Sequence, residues 1–206
     1  MKIPNVGALA HMETMDAFAQ CFPKGVVNFI SGAGRETMPP IMATGKVDIF
    51  AFIGTSKAAD ALINAHPAPH RLKNCLSLEA KNVGIVCKDA DVDEAVTECC
   101  LGALSYNGQR CTAIKQIMVH KDVAEDFVAK FSAKVGSLKL ALPWAAGADL
   151  TPLPEPSKPQ YLADLRADAE SKGAKIISPG AAQGWAYTTV FPSIAYPVTK
   201  DMRVMQ

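Results

Sequence analysis

Apolar segments that alternate between strand-like and helix-like patterns constrain the fold of this chain most. Residues 26–30 and 47–52 form short apolar runs typical of buried strands. Glycine turns and hydroxyl caps follow them, and helical patterns then run to about residue 45 and residue 65. Strands and helices that alternate at this spacing predict an α/β fold with a parallel sheet covered by helices.

The second half of the chain continues the alternation. Asp91 and Glu94 form a capping box, which predicts a helix whose apolar stripe includes the vicinal pair Cys99 and Cys100. We interpret that pair as core packing. Helical spacing predicts helices at 8–22 and through Val123, Phe127, Val128 and Phe131, and Ser157 can cap a further helix. Apolar runs lie near 75–78 and 84–87, and strands are predicted at 114–119, 175–177 and 189–191. The proline-rich residues 142–159 are predicted to be a surface connection.

Composition excludes several classes of function. The 206 residues carry a net charge of +1, which gives no electrostatic reason to bind nucleic acid or an anionic membrane surface. No apolar run reaches the length of a membrane span, and the first residues do not form a signal peptide. The six cysteines lack metal-type or disulfide-framework spacing, so we expect reduced thiols, no metal site and a cytoplasmic protein.

Cys111 lies in polar sequence, unlike most structural cysteines. Arg110 precedes it, and Gly108 lies three residues before it. A neighbouring cation favours the nucleophilic thiolate, and a glycine allows a ligand to approach the backbone. Taken alone, the segment fits an inert loop cysteine better than it fits a nucleophile.

Two glycine turns suggest contacts with phosphate. Gly32 and Gly34 lie between a strand and a helix, but Thr37 replaces the third glycine of the dinucleotide fingerprint, so an ordinary strand-to-helix turn is the better interpretation of this segment alone. Gly54 ends the next strand, and the hydroxyl residues Thr55 and Ser56 follow it at a helix start. Ligands bind at this edge of open α/β sheets.

Five segments in order carry a family resemblance. They are Lys2-Ile3-Pro4, Phe52-Ile53-Gly54-Thr55-Ser56, Ala80-Lys81-Asn82, Asp89-Ala90-Asp91 and Asn107-Gly108-Gln109-Arg110-Cys111. With these motifs the chain resembles the aldehyde dehydrogenase superfamily from Lys2 to Gln206. Within the superfamily it most resembles the NADP-linked, non-phosphorylating glyceraldehyde-3-phosphate dehydrogenase branch.

The resemblance implies a partial aldehyde-dehydrogenase fold. Residues 1–77 resemble part of a Rossmann-type dinucleotide-binding domain, and residues 78–206 resemble part of an α/β catalytic domain. The family's oxyanion-hole asparagine and its Phe-Gly-Pro glutamate segment are expected outside these residues. We therefore expect the 206 residues alone to be inactive and the full-length protein to form a homo-oligomer.

The resemblance also assigns roles to individual residues. Cys111 is expected to add to an aldehyde, giving a thiohemiacetal and, after hydride transfer to NADP, a thioester. Lys2 matches the lysine that binds the adenosine ribose or its phosphate. Asn5 lies near the position where NAD-preferring members place a glutamate, and without that carboxylate a 2′-phosphate is not repelled, so NADP is favoured over NAD. Thr55 matches the hydroxyl that contacts the pyrophosphate. The remaining cofactor-binding candidates are Gly32, Gly54 and Leu78.

The substrate side of the resemblance centres on Arg110. This residue matches an arginine that holds the phosphate of a small aldehyde, with glyceraldehyde 3-phosphate as the expected substrate, although a surface ion pair explains it equally well. Asn107 and Thr112 are the other substrate-binding candidates. The expected partner is a small-molecule aldehyde.

One departure from the family concerns release of the product. Ser77 occupies the position of the glutamate that activates the deacylating water, and Glu79 is the nearest carboxylate. We predict that Glu79 takes over as base. Two alternatives stay open: a CoA-acylating semialdehyde dehydrogenase, and a non-catalytic relative that keeps nucleotide binding.

Overall fold

The structure is a computed structural model that describes residues 1–181 and 188–206. The described chain divides into two compact units, Met1–Glu79 and Ala80–Gln206. The first unit ends two residues beyond position 77, where the resemblance sets a domain boundary. Each unit contains helices and a pair of parallel strands, which confirms the predicted α/β class.

The first unit is built around one parallel strand pair. Its elements are α1 (Ala8–Met12), α2 (Met15–Cys21), α3 (Gly34–Ala43), β1 (Ile49–Gly54), α4 (Ser56–Ala65), a short 3₁₀ turn (Pro69–Arg71) and β2 (Lys73–Leu78). Strand β1 pairs with β2 from Ile49 opposite Lys73 to Gly54 opposite Leu78, and α4 is the crossover that parallel strands require. The core of this unit consists of Met42, Phe50, Leu62 and Leu72.

The helical spacing at residues 8–22 gives two short helices instead of one. The hydroxyl of Thr14 donates to the carbonyl of His11 at 2.6 Å, and its backbone N–H bonds to the same carbonyl at 3.2 Å. Local bonding of this kind competes with the helical ladder and explains the break after Met12. No residue of either helix is buried.

The strand predicted at residues 26–30 is wrong. Gly25 has φ +88°, and Val26 closes a turn by bonding to the carbonyl of Pro23. Only Ile30 pairs, in an isolated parallel bridge with Lys2. A strand needs hydrogen bonds to a partner along its whole length, and this segment has only a single bridge.

The second unit begins with another parallel pair. Its elements are β3 (Asn82–Val86), α5 (Val92–Leu104), a 3₁₀ segment (Ser105–Gly108), β4 (Ile114–Val119), α6 (Ala124–Gly136), α7 (Lys158–Ser171), β5 (Lys175–Ile177), β6 (Ile194–Tyr196) and a final 3₁₀ turn (Arg203–Met205). Asp91 caps α5 as predicted, since its carboxylate accepts from the N–H groups of Asp93 and Glu94 at 2.9 and 3.0 Å. Helices α5 and α6 pack together over β3 and β4. Their core contains Val86, Val96, Cys99, Cys100, Phe127, Phe131 and Val135.

The last part of the chain differs from its prediction at one strand. Strand β5 forms as expected, but residues 189–191 are not a strand. The antiparallel partner of β5 is β6, which begins after Pro192, a residue that has no N–H to donate to a ladder. Among the described residues, no helix has the length and apolar character needed to cross a membrane.

Candidate active site

Cys111 lies on a loop whose backbone is forced into an unusual conformation. The loop leaves α5 at Leu104 and enters β4 at Ile114. Tyr106, Asn107 and Gly108 have φ values of +55°, +57° and +69°, so three successive residues are left-handed. At Gly108 a side chain is excluded, because a Cβ would lie 2.6 Å from the carbonyl oxygen of Ala103. The turn leaves Cys111 exposed.

Asn107 anchors this turn to a distant segment. Its Nδ2 donates to both the carbonyl and the hydroxyl of Thr151 at 3.0 Å, and its Oδ1 accepts from the Thr151 N–H at 2.9 Å. These contacts stabilise a left-handed backbone that costs on the order of 1–2 kcal/mol for a non-glycine residue. The amide of Asn107 is therefore already bonded within the protein, and its role in binding substrate stays a prediction.

Two further side chains bind the carbonyl groups around Cys111. Asn82 donates to the carbonyls of Cys111 and Ala113 at 2.5 and 3.1 Å. The Lys115 ammonium donates to the carbonyls of Arg110 at 2.7 Å, Ala113 at 3.1 Å and Gly108 at 3.5 Å. Desolvation lowers the pKa of Lys115, attraction to Cys111 raises it, and the cations Arg110 and Lys81 lower it further. The Lys115 ammonium therefore binds the backbone on both sides of Cys111.

Arg110 folds back toward the helix that precedes the loop. Its Nη2 donates to the carbonyl of Gly102 at 3.4 Å, and its guanidinium lies 5.6 Å from the ring centroid of Tyr106. Its Nε–H is buried and has no partner among the described residues. A guanidinium has five N–H donors, so most of the donors of Arg110 are not bonded within the described protein.

The candidate nucleotide residues near the start of the chain come together in the first unit. The Lys2 ammonium lies 3.5 Å from Oδ1 of Asn5, and Lys2 pairs with Ile30, two residues before Gly32. Gly32 has φ +117°, and a Cβ there would lie 3.0 Å from Cγ2 of Thr37. The turn into α3 therefore requires glycine at this position.

The other candidate nucleotide residues meet where β1 and β2 end. Gly54 lies opposite the half-buried Leu78 in the strand register. Thr55 is the N-cap of α4, and its Oγ1 accepts from the N–H of Ala58 at 3.2 Å. The cap predicted from the sequence is therefore confirmed, and its hydroxyl remains exposed.

Glu79 lies at the same edge and binds the start of α4. Its Oε2 accepts from the backbone N–H of Ser56 at 2.7 Å and from the Ser56 hydroxyl at 3.1 Å. Hydrogen bonds from its own backbone N–H and from Ser56 lower the pKa of this exposed carboxyl. An anion at a helix N-terminus is stabilised in this way. The carboxylate therefore has a partner other than water.

The candidate site residues divide between the two units. Lys2, Asn5, Gly32, Gly54, Thr55, Leu78 and Glu79 belong to the first unit, and Asn107, Arg110, Cys111 and Thr112 belong to the second. Asn82, Lys115 and Thr151 also contact the Cys111 loop, although the sequence interpretation assigned them no role. Asn82 stood within a family motif, whereas nothing in the local sequence marked Thr151.

We expect Cys111 to be the fastest of the six thiols to react with iodoacetamide. It is exposed and has the Lys115 ammonium nearby, whereas Cys99 and Cys100 are buried in the core of the second unit. Burial raises the pKa of both, with Glu98 raising that of Cys99 further. Limited alkylation followed by peptide mapping tests this, with the exposed Cys87 as the comparison. Faster labelling of Cys87, Cys99 or Cys100 would contradict the assignment.

Comparison with known proteins identifies the family. The model of the aldehyde dehydrogenase family matches residues 1–206, and the chain belongs to that family. It is similar to the NADP-dependent glyceraldehyde-3-phosphate dehydrogenase of Scenedesmus vacuolatus, with 32% identity over 99% of this chain and 84% of that protein. The protein of the same description from Streptococcus equinus is 33% identical over 99% of this chain and 42% of that protein.

Solved structures show the same fold. The NADP-dependent glyceraldehyde-3-phosphate dehydrogenase of Bacillus halodurans C-125, complexed with NADP, matches with a TM-score of 0.86 and 29% identity. The succinate-semialdehyde dehydrogenase of Burkholderia pseudomallei also matches with a TM-score of 0.86 and 29% identity. Each comparison covers 96% of this chain and 40% of the other. The family resemblance inferred from the five motifs is therefore confirmed, and the chain spans less than half of most of these relatives.

Proposed function

We propose that the protein oxidises a small phosphorylated aldehyde with NADP and uses Cys111 as the nucleophile. The observation that carries this proposal is the exposed Cys111 on a left-handed loop, with the ammonium of Lys115 bound to backbone carbonyls on both sides of it. Family membership and the descriptions of the relatives from Scenedesmus and Streptococcus support the reaction class and the cofactor.

The proposed chemistry takes place at the sulfur atom. The Cys111 thiolate adds to the carbonyl carbon, and the electron pair of the C=O bond moves to oxygen, giving a thiohemiacetal. When bound, NADP accepts the hydride that leaves the same carbon. An acyl group is then left on Cys111 as a thioester.

Residues of the first unit fit a nucleotide with a 2′-phosphate. Lys2 offers a cation beside the neutral Asn5, so this pair would attract a phosphate group. Gly32 keeps its turn clear of a side chain, and Thr55 holds an exposed hydroxyl at the start of α4. We infer that these residues, with Gly54 and Leu78, hold NADP in preference to NAD. The carboxylate of Glu79 at Ser56 would have to share or leave that helix end when a pyrophosphate binds.

A second candidate function differs only in the release of the acyl group. Ser77 is neutral, and Glu79 is bonded to Ser56 with a lowered pKa, so both are poor bases in this arrangement. This observation favours attack by a thiol such as CoA over attack by water. The acylating semialdehyde dehydrogenase is therefore the alternative.

We assign binding of the substrate phosphate to Arg110, and replacing this side chain tests the proposal. In the full-length protein, Arg110→Leu is expected to raise KM for glyceraldehyde 3-phosphate by about 10- to 150-fold, because a charge-assisted contact contributes roughly 1.5–3 kcal/mol. KM for unphosphorylated glyceraldehyde should change much less. NADPH formation at 340 nm on a series of both aldehydes measures the difference.

Two variants control this experiment. Arg110→Lys keeps the charge but not the planar fork, so its KM for the phosphorylated aldehyde should be intermediate. Cys111→Ser should abolish NADPH formation with both aldehydes. Equal changes of KM for both aldehydes would leave Arg110 a structural role, and full activity of Cys111→Ser would contradict the proposed function.

A further inference from the structure

A carboxylate from the end of another strand occupies the start of α4. Oε2 of Glu79 accepts from the backbone N–H of Ser56 at 2.7 Å and from its hydroxyl at 3.1 Å. The strand register explains this approach, since Gly54 lies opposite Leu78 and Glu79 is the next residue beyond β2. Both residues of the contact belong to the first unit.

The helix does not need this carboxylate as its cap. Thr55 is already the N-cap: its side chain accepts from the N–H of Ala58, and its carbonyl accepts from the N–H groups of Ala58 and Ala59. An N-cap residue directly precedes its helix, whereas Glu79 lies 23 positions from Ser56. The contact therefore adds an anion to a helix end that a neighbouring residue has already capped.

This contact takes up groups that an external anion would need. The N-terminus of a helix binds phosphate through free backbone N–H groups, and a carboxylate can fill the same position. Glu79 holds the N–H of Ser56, and the N-cap holds that of Ala58. Of the first three helical residues, Lys57 alone has an N–H without a partner in the described part of the chain. A phosphate at this helix end therefore meets one open N–H group beside an occupied one.

Within the described protein, hydrogen bonds alone stabilise the charge of Glu79. Its own backbone N–H and the two donors of Ser56 lower the pKa of the carboxyl, and no cation of the described chain contributes to this shift. Like charges repel more strongly as they approach. A phosphate bonded to the N–H of Ser56 would lie against an ionised carboxylate, so the two anions exclude each other at this helix end.

We propose that Glu79 is an intramolecular competitor for the pyrophosphate of the dinucleotide, which binds at the start of α4 once Glu79 has left Ser56. The identity of this ligand rests on the proposed function. The apparent dissociation constant of such a ligand is its intrinsic value divided by the fraction of molecules in which the site is open. Because NADP and NAD share the pyrophosphate, Glu79 weakens the binding of both by one common factor.

Replacing the carboxylate tests the competition through the affinity of the full-length protein for three ligands. Isothermal titration calorimetry without aldehyde measures the dissociation constants of NADP, NAD and adenosine 2′-monophosphate, which carries the 2′-phosphate but no pyrophosphate. In Glu79→Gln, NADP and NAD should each bind about 5- to 150-fold more tightly, the range typical of coupling between two binding events. The affinity for adenosine 2′-monophosphate should stay unchanged.

Two further variants separate competition from other effects of the substitution. Glu79→Ala cannot reach Ser56, so it should tighten dinucleotide binding at least as much as Glu79→Gln, which keeps an oxygen that can accept from Ser56. Either variant suffices if the other does not fold. Asp60→Asn is the matched control, because it removes an exposed carboxylate from the same helix one turn beyond Ser56. Its three affinities should equal those of the unmodified protein.

The possible outcomes distinguish the competition from the proposed function. Unchanged dinucleotide affinities in both Glu79 variants would overturn the competition and leave the proposed function standing. An equal gain for adenosine 2′-monophosphate, or in Asp60→Asn, would also overturn it, since neither involves the pyrophosphate contact at Ser56. Tighter dinucleotide binding in a protein that oxidises no aldehyde would support the competition and contradict only the proposed function. If neither the unmodified protein nor any variant binds NADP or NAD, both are overturned.

Discussion

When the full-length protein is mixed with NADP and glyceraldehyde 3-phosphate, we expect a rapid burst of one NADPH for each Cys111 that is acylated. Slow steady-state turnover should follow. The burst reports hydride transfer, and the slow phase reports hydrolysis of the thioester. Ser77, in place of the family glutamate, is neutral and cannot take a proton from water as a carboxylate does. Loss of a general base should slow deacylation by roughly 10²–10⁴ while hydride transfer stays fast. Stopped-flow absorbance at 340 nm resolves the two phases.

Glu79 is the carboxylate that we predict to take part in the slow phase. A lowered pKa keeps Glu79 ionised to lower pH and makes it a weaker proton acceptor, since its hydrogen bonds stabilise the charged form. To serve as base it has to leave Ser56. Glu79→Gln should therefore slow the steady rate and spare the burst.

Ser56→Ala is the matched variant for this prediction. It removes the hydroxyl that holds Glu79 at 3.1 Å but keeps the backbone N–H contact, so the carboxylate is released more often and the steady rate should rise. Full steady turnover of Glu79→Gln with water as acceptor would show that Glu79 is not the base. Fast turnover of the unmodified protein on addition of CoA would assign it instead to the acylating alternative. Fast NADPH formation without a burst would contradict slow deacylation, and no NADPH formation in either phase would contradict the proposed function.

Local signals in the sequence predicted the elements that frame the candidate site. Thr55 and Asp91 cap α4 and α5 because a short polar side chain before a helix binds its first free N–H groups, a contact that depends on neighbours only. The prediction of a strand at residues 26–30 was wrong because a strand forms only where a partner strand is available. The sequence around Val26 does not reveal whether one is present. The same holds for residues 189–191, since the partner of β5 begins at Ile194.

In the candidate site, too, the features set by neighbouring residues could be predicted from the sequence, and those set by distant residues could not. An exposed Cys111 followed from its polar neighbours, which are adjacent in sequence. The contact between Asn107 and Thr151 joins residues 44 positions apart, and that between Ser56 and Glu79 joins residues 23 positions apart. Contacts of this kind are set by how the loops pack, so no local pattern indicates them. Lys115 was missed because, on a strand, a single lysine is usually an exposed polar residue.

The other prediction with a large expected effect concerns the stability of the core of the second unit. Phe127 is 2% exposed and stacks on Phe131 with ring centroids 5.4 Å apart. Replacing a buried phenylalanine with alanine typically costs about 3–5 kcal/mol, which is roughly 10²–10⁴ in the unfolding equilibrium. Cys99 and Cys100 lie in the same cluster and react only when it opens. Phe127→Ala should therefore raise their rate of alkylation by roughly 10²–10⁴.

Leu101→Ala is the matched control, because Leu101 lies on α5 between these cysteines and Leu104 but is 61% exposed. It should change the free energy of unfolding by no more than about 0.5 kcal/mol and leave both thiols protected. Cys111 is an internal reference, since its exposed sulfur reacts without opening of the core. Equal labelling of Cys99 in the two variants would contradict the packing of α5 on α6. Leu104 and Ile114, at the two ends of the Cys111 loop, both pack on this cluster, so the core that protects Cys99 also fixes the loop that exposes Cys111.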